Sequence, residues 1–305
     1  MALPEPRRTS VEYVEQPCKS ALNAVRGMGF KWSLNPYRGC EHRCAFCYVR
    51  AFEQRADRPA DDRYGRSIRI KTNIAAVLRQ ELRRRGWRRE TVVLGAATDP
   101  YQPAEGTFRL SRGCLQVLAE NCNPTGIITR GPMIIRDLDV LVELAKKAEL
   151  GVTFSIPTLD EEVWRRTEPG TAHPRQRLAA LSRLVAAGIR AAVGMAPILP
   201  GLSDRPEQLE AVVRAAREAG AVSVSANLLY LRPGTREHFL GLIGRHWPEL
   251  LPGYLAEYDR GAYLPESRIR PVQQLVSELK AKHGIGDRRP ILHTPTAPPR
   301  QLVLL

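Results

Sequence analysis

Short apolar runs alternate with amphipathic helical patterns along most of this chain, and that alternation constrains its fold more than any other feature. The runs are continuous and rich in β-branched residues, which is typical of strands covered on both faces. They lie at 91–98, 126–130, 151–158, 191–199 and 221–231, and a further strand is expected around "KWSLN" at 31–35. Repeated strand–helix–strand units predict parallel βα units and not separate α and β domains.

The helix candidates between these runs carry start and stop signals. An apolar stripe at 74–82 begins beside Asn73, a candidate N-cap. The segments 174–187 and 206–219 each begin with proline and stop before a glycine. A further helix is indicated by the leucine and valine spacing at 138–144.

About six βα units are fewer than the eight of a closed barrel, so the sequence predicts an α/β fold with an open, partial (β/α)6 barrel of the TIM type. We expect an irregular N-terminal arm at 1–29, a core at 30–235 and a C-terminal helical extension and tail at 236–305. Within the extension, one amphipathic helix is predicted at 271–282 and a poorly ordered Pro-rich tail at 288–300.

The 305 residues, 43% of them hydrophobic, suffice for one large domain with a buried core. No run of 18 apolar residues is present, and the first residues lack the zones of a secretory signal. We therefore expect a soluble, cytoplasmic protein that has no membrane partner and acts as a monomer.

The formal charge of +14 is concentrated in one region. Between residues 38 and 89, 14 Arg and one Lys stand against six acids, a net charge of +9. This concentration predicts an anionic partner such as a phosphate backbone or a nucleotide. The alternative is a compositional bias, since the chain has 39 Arg and seven Lys and charged residues usually solvate a surface.

The stretch "NPYRGCEHRCAFCYVR", residues 35–50, contains Cys40, Cys44 and Cys47, which we call the cysteine triplet. Such crowding does not resemble a disulfide framework and favours reduced thiolates that bind a metal. Zinc sites usually combine two cysteine pairs, and no second pair follows; His42 is awkwardly placed as a fourth ligand. Three thiolates on one loop favour a [4Fe-4S] cluster with one iron free of protein ligands, and zinc remains the alternative.

The spacing Cys-x3-Cys-x2-Cys, with Phe46 before the last cysteine, resembles the signature of radical S-adenosylmethionine (radical SAM) enzymes. The resemblance implies that S-adenosylmethionine binds the free iron and is cleaved to methionine and a 5′-deoxyadenosyl radical. It also implies an electron donor such as a flavodoxin or ferredoxin. Further stretches, among them "ATDPYQPAE" and "FSIPTLDEEVWRRTEPG", resemble the spore photoproduct lyase-related branch over residues 19–205.

The same resemblance assigns roles around the triplet. It implies that the backbone at Phe46 meets the adenine and that Thr98 and Asp99 replace a Gly-Gly-Glu motif that holds the cofactor's amino group. Arg130 is placed like a basic residue that meets the cofactor's carboxylate, and Ser155 like a polar contact to the ribose or carboxylate. Each side chain also suits a structural role: core packing, turn formation, an ion pair or a local hydrogen bond.

The sequence departs from the lyase at one reactive position. Spore photoproduct lyase has a hydrogen-donating cysteine near the end of its second strand, and that position falls on Ala96 here. Cys114 and Cys122, eight residues apart and conceivably on one helical face, and Tyr101 are other hydrogen relays to consider, although packing roles are favoured for all three. We therefore expect a reaction other than that of the lyase.

The leading hypothesis is a radical SAM enzyme that modifies or repairs a nucleic acid or nucleotide. One alternative keeps the enzyme class and replaces the substrate with a small metabolite or peptide. Another is a non-enzymatic, metal-stabilised nucleic-acid-binding module. The sequence contains no GxGxxG, Walker, HExxH or GxSxG motif, which excludes the common dinucleotide, phosphate-loop, zinc-protease and serine-hydrolase classes.

Overall fold

A computed structural model describes residues 11–286. Its strands, in chain order, are β1 (Glu12–Gln16), β2 (Leu22–Ala24), β3 (Trp32–Leu34), β4 (Tyr37–Arg38), β5 (Ser67–Lys71), β6 (Val92–Leu94), β7 (Thr125–Thr129), β8 (Leu150–Ser155), β9 (Arg190–Ile198) and β10 (Val224–Leu228). Its α-helices are α1 (Arg50–Arg55), α2 (Ile74–Leu82), α3 (Ala104–Phe108), α4 (Leu110–Glu120), α5 (Leu138–Lys147), α6 (Glu161–Thr167), α7 (Pro174–Ala186), α8 (Pro206–Glu218), α9 (Thr235–His246), α10 (Leu251–Glu257) and α11 (Glu266–Lys282). Short 3-10 helices lie at Pro132–Asp137 and Pro248–Leu250.

Six parallel strands form the centre of the fold, in the order β10-β9-β8-β7-β6-β3. β2 extends this sheet by pairing antiparallel with β3. β1, β5 and β4 make a separate three-stranded sheet beside residues 39–49, which contain the triplet and which we call the cysteine loop. The alternation of the parallel strands with helices and the open sheet edge at β10 confirm the partial (β/α)6 architecture.

The main core lies where the strands pack against α4, α5, α7 and α8. Side chains such as Leu94, Phe154 and Val193 are fully buried, which explains why these strands are apolar without alternation. Each fully buried side chain of this kind stabilises the fold by about 1.5–3 kcal/mol. A second, smaller apolar cluster contains Phe46 and Phe239, so it joins the cysteine loop to α9.

The helix signals in the sequence place the starts of α7 and α8 correctly, at Pro174 and Pro206. α11 begins at Glu266, earlier than the predicted range, and contains Pro271 in its first turns. Within residues 11–286, no helix is long and apolar enough to cross a membrane.

Two details of the N-terminal region differ from the expectation. The arm, expected to be irregular, contributes β1 and β2 to the two sheets. Asn73 precedes α2 as expected, but its side chain makes no cap; it bonds instead with the backbone amide and carbonyl of Cys18, at 2.7 and 3.1 Å. Asn73 thus ties the arm to the core. The Pro-rich tail predicted at 288–300 lies outside the described residues.

Candidate active site

The cysteine loop begins directly after β4, at the carboxyl ends of the parallel strands, where sites of α/β folds form. Gly39 and Gly65 have positive φ angles of 88° and 77°, which side chains rarely adopt. A Cβ on Gly39 would lie 2.9 Å from the carbonyl oxygen of Ser67, and one on Gly65 would overlap the carbonyl of Cys40. These glycines allow the loop to lie against the segment that leads into β5.

The cysteine triplet is reduced, with Cys40 and Cys44 buried and Cys47 partly buried. Burial raises the pKa of the Cys40 thiol well above its usual value. Burial also raises the pKa of Cys44 to about 12, although the nearby Arg130 acts in the opposite direction. Buried thiolates therefore need additional positive charge, which a metal centre provides.

The number and spacing of the cysteines bear on the kind of metal centre. A structural zinc site usually takes four protein ligands in two pairs, and the triplet has no second pair beside it in the sequence. A [4Fe-4S] cluster can be held by three thiolates that leave one iron free of protein ligands. The triplet therefore fits a cluster better than zinc.

Thr98 and Asp99 lie in the loop that follows β6 and are both buried. The Thr98 hydroxyl donates to the Gly39 carbonyl at 2.7 Å and accepts from the Gln102 side chain at 2.9 Å. These bonds tie the end of β6 to the cysteine loop, so the hydroxyl of Thr98 is engaged within the protein.

The Asp99 carboxylate accepts from the Tyr101 amide at 2.8 Å, the Thr129 hydroxyl at 2.7 Å and the Arg130 amide at 2.6 Å. His42 Nδ1 lies 3.2 Å from its second oxygen, without hydrogen-bond geometry. Burial alone would raise the pKa of Asp99, but His42 and these hydrogen bonds lower it to about 2. Asp99 therefore organises the ends of β6 and β7.

Arg130 follows β7 and points toward the cysteine loop. Its Nε donates to Glu168 Oε1 at 2.6 Å and its Nη2 donates to the Ala196 carbonyl at 2.9 Å. Its guanidinium carbon lies 5.5 Å from the centre of the Phe46 ring. These three contacts fix a positive charge beside Cys44, and the pair with Glu168 is the ion-pair role that the sequence also allowed for Arg130.

Phe46 and Ser155 complete the predicted set. Phe46 is buried and belongs to the smaller apolar cluster, so it has a packing role as well as its place beside Arg130. Ser155 ends β8, and its carbonyl accepts from Arg177 Nη1 at 2.8 Å. Its hydroxyl has no hydrogen-bond partner within residues 11–286, which leaves it available to a ligand.

Glu168 was not singled out by sequence reasoning and is the most buried acid beside the triplet. Its side chain is fully buried between Arg130 and Arg177, with Arg177 Nη1 at 3.2 Å from both carboxylate oxygens. The neighbouring backbone also holds the cysteine loop, because Ala45 N donates to the Thr167 carbonyl at 2.8 Å. In the sequence, the signal for Glu168 was its position as the acid directly before Pro-Gly in "RRTEPG".

A second contact holds the same two segments together. Gly170 N donates to the His42 carbonyl at 3.1 Å, and a Cβ on Gly170 would overlap the Glu41 carbonyl. The segment 167–170 therefore packs against the cysteine loop. This close packing requires glycine at position 170.

The other candidate hydrogen relays are Cys114, Cys122 and Tyr101. Cys114 is fully buried in α4, and Cys122 lies in the turn beyond that helix with a φ of +49°, so the two thiols do not share a helical face. Tyr101 is 2% exposed and belongs to the main core. At the Ala96 position, the hydroxyl of Tyr48 donates to the backbone carbonyl, a contact that sequence reasoning missed.

Comparison with known proteins agrees with this geometry. A sequence model of the Radical SAM superfamily matches residues 34–216. An uncharacterized protein of Mycobacterium tuberculosis is 40% identical over 289 residues, which cover 93% of this chain and 85% of that protein. An uncharacterized protein of Acidianus two-tailed virus is 29% identical over 228 residues, which cover 70% of this chain and 71% of that protein.

Among solved structures, a spore photoproduct lyase mutant with bound AdoMet and dinucleoside spore photoproduct is similar, with a TM-score of 0.67. The match covers 89% of this chain and 79% of the lyase chain, at 14% sequence identity. Another spore photoproduct lyase structure, complexed with dinucleoside spore photoproduct, has the same TM-score of 0.67 at 13% identity. At such identities the likeness shows a shared fold.

Proposed function

Since the chain belongs to the radical SAM superfamily, with a [4Fe-4S] cluster and S-adenosylmethionine as cofactors, we propose that it modifies or repairs a nucleic acid or nucleotide by hydrogen abstraction. When bound, the two cofactors supply a 5′-deoxyadenosyl radical after one-electron reduction by a flavodoxin, a ferredoxin or a similar donor. The reaction differs from that of spore photoproduct lyase, because Ala96 replaces the lyase's hydrogen-donating thiol.

The residues around the triplet divide the work of holding the cofactors. Cys40, Cys44 and Cys47 would bind the cluster and leave one iron to S-adenosylmethionine. The guanidinium of Arg130, fixed by Glu168 and the Ala196 carbonyl, is suited to a carboxylate because it cannot turn away from the site. Pre-set charges of this kind favour binding because little ordering remains to be done.

The free hydroxyl of Ser155 offers one further hydrogen bond on the neighbouring strand. Thr98 and Asp99 act indirectly in this proposal, because their polar atoms hold the Gly39 carbonyl and the Arg130 amide. They position the loop and the start of the Arg130 segment, and the cofactor's amino group is left to other contacts.

The observation that carries the choice of a nucleic-acid substrate is the charge near the site, and the structure divides the basic region into two parts. Arginines 83–89 precede β6 and therefore lie at the amino ends of the parallel strands, opposite the triplet. Arg38 and Arg43 flank Cys40 at the carboxyl ends, so they and their neighbours are the groups that support an anionic substrate.

Anaerobic reconstitution followed by a search for 5′-deoxyadenosine tests this proposal. The wild-type chain is incubated with dithionite, S-adenosylmethionine and, in separate samples, single-stranded DNA, duplex DNA, RNA, nucleotides and a peptide mixture. We expect 5′-deoxyadenosine in all samples and an increase with one of the nucleic acids or nucleotides. The Cys44→Ala variant is the matched control and should produce none.

An increase with the peptide mixture alone would contradict a nucleic-acid substrate while leaving the enzyme class intact. Zinc at one equivalent, with neither iron nor 5′-deoxyadenosine, would contradict the assignment of the cofactors. The first outcome tests the substrate class, and the second tests the cofactors.

A further inference from the structure

An exposed aromatic pair follows the cysteine triplet directly. Tyr48 and Phe52 are 36% and 41% exposed, and their ring centres are 5.8 Å apart in an edge-to-face arrangement. The guanidinium carbon of Arg55 lies 5.8 Å from the Phe52 ring centre. Large apolar rings are normally buried, so an exposed pair beside a site indicates contact with a ligand or partner.

A second aromatic pair, made of the partly buried Tyr230 and the exposed Tyr263, follows β10, the last parallel strand. The ring centres of Tyr230 and Tyr263 are 4.3 Å apart, and Tyr263 is 67% exposed. The guanidinium carbon of Arg232 lies 5.1 Å from the Tyr230 ring centre. The amide of Leu231 donates to the Ala262 carbonyl at 2.9 Å, so the segments that carry the two tyrosines are fixed together.

Two contacts join the chain segments that carry the two pairs. The hydroxyl of Thr235 donates to the Cys47 carbonyl at 2.9 Å. Gly234, with a φ of +87°, lies so close to α1 that a Cβ would be 3.2 Å from the Arg50 carbonyl oxygen. The segment 230–235 therefore runs beside residues 47–54, directly after the triplet.

The chemistry of the two pairs is the same. Each combines aromatic rings with an arginine, and neither Arg55 nor Arg232 makes an ion pair within residues 11–286. Aromatic rings stack with the faces of unpaired bases whatever the sequence, and arginine binds the phosphates between them. A duplex keeps its bases stacked on each other and offers only its phosphates and groove edges.

We propose that Tyr48, Phe52, Tyr230 and Tyr263, together with Arg55 and Arg232, form a binding surface for single-stranded nucleic acid, which we call the aromatic rim. This inference rests on the proposed function and specifies its substrate class: a strand whose bases are unpaired at the site. The net charge of +14 complements such a polyanion.

Fluorescence anisotropy with the reconstituted full chain tests the rim. The probes are a fluorescein-labelled oligothymidylate and a labelled hairpin duplex of equal length. We expect the single strand to bind at least about tenfold more tightly than the duplex. Phe52→Ala and Tyr263→Ala should each weaken single-strand binding by about fivefold or more. A fivefold loss corresponds to the smallest free energy usually measured for one lost stacking contact, about 1 kcal/mol. Arg232→Ala should lower the slope of log affinity against log salt by about 0.7, the value for one phosphate contact.

Tyr13→Ala is the matched control. Tyr13 is 40% exposed and forms an edge-to-face pair with Phe108 at 5.5 Å, but it lies on the small sheet. Among residues 11–286, no arginine covers its ring. Its variant should bind the single strand like the wild type. Far-ultraviolet circular dichroism and the visible absorption of the cluster should match the wild type in every variant used, which separates loss of binding from loss of folding.

Wild-type affinity of folded Phe52→Ala and Tyr263→Ala variants, or equal binding of duplex and single strand, would overturn the rim. If a duplex or free nucleotide still stimulates formation of 5′-deoxyadenosine, the proposed function stands and only the rim fails. If the single strand binds through the rim but no nucleic acid stimulates turnover, the rim stands and the proposed function fails.

Discussion

Replacing Glu168 with glutamine is the perturbation whose effect follows most directly from the structure. The side chains of Glu168 and Arg177 are fully buried and that of Arg130 is 18% exposed, so the change leaves two largely buried guanidinium groups without their carboxylate. Removing one partner of a buried ion pair costs about 3–5 kcal/mol. Glutamine keeps the volume and one acceptor oxygen, so we expect the lower end, about 3 kcal/mol. In a chain of this size, that cost lowers Tm by about 5 °C.

The pH dependence of this effect has a defined sign. Burial alone would raise the pKa of Glu168, but Arg177 and Arg130 hold it below the ordinary value. A lowered native pKa stabilises the fold above the unfolded value of about 4.3, and the stabilisation is lost as the pH falls through the native pKa. The difference between wild type and Glu168→Gln should therefore be complete at pH 7 and shrink below about pH 4.

Thermal unfolding of the apo-protein, followed by circular dichroism at pH 7, measures the difference. The matched control is Glu120→Gln, which breaks the pair with Arg79; the two side chains are 48% and 37% exposed. That exposed pair should cost about 1 kcal/mol or less. A Glu168→Gln midpoint no lower than that of Glu120→Gln would refute the view that Glu168 balances two buried cations.

Three further predictions concern the cofactors and the reaction. Alanine at any one position of the cysteine triplet should prevent the chain from holding a [4Fe-4S] cluster, as measured by iron, sulfide and visible absorption; an intact cluster would contradict the ligand assignment. Arg130→Ala should weaken S-adenosylmethionine binding in equilibrium dialysis without changing the cluster's absorption, because an ionic contact to a carboxylate does not touch the iron. The wild-type enzyme should not split spore photoproduct cleanly into two thymines, since Ala96 places no hydrogen donor near the substrate radical; clean repair seen by chromatography would show another donor.

The parallel core was predictable because its signals are local. Each strand is a continuous apolar run, and α7 and α8 begin at prolines, which are recognisable start signals in the sequence. Successive strands of the parallel sheet are also neighbours in it, as is usual for consecutive βα units, so their order follows the order along the chain. β1 was missed because its residues are mostly exposed and it gains its structure by pairing with β5, more than 50 residues away.

The site was predictable only in part, for the same reason. The triplet is a local motif and was identified from its spacing. The contacts of Glu168 join it to Arg130, 38 residues earlier in the chain, and no local pattern reports such a pair. Asn73 shows the converse error, because a residue suited to capping was drawn to the backbone of Cys18, 55 residues away. Where a side chain has several possible partners, the tertiary structure determines which one it binds.

Arg50 connects the folding of the cysteine loop to the charge of its ligands. Its side chain is 1% exposed and donates to four backbone carbonyls, those of Arg43, Cys44, Ala60 and Asp61. Within residues 11–286 it makes no ion pair, so its charge is held by carbonyl dipoles and by the Tyr64 ring, 4.6 Å away. Burial lowers the pKa of Arg50, while negative charge on the neighbouring cysteines would raise it. Thiolates bound to iron would therefore stabilise this buried cation, and the cation in turn would favour thiolates over thiols. Cluster binding and ordering of the loop are expected to reinforce each other for this reason.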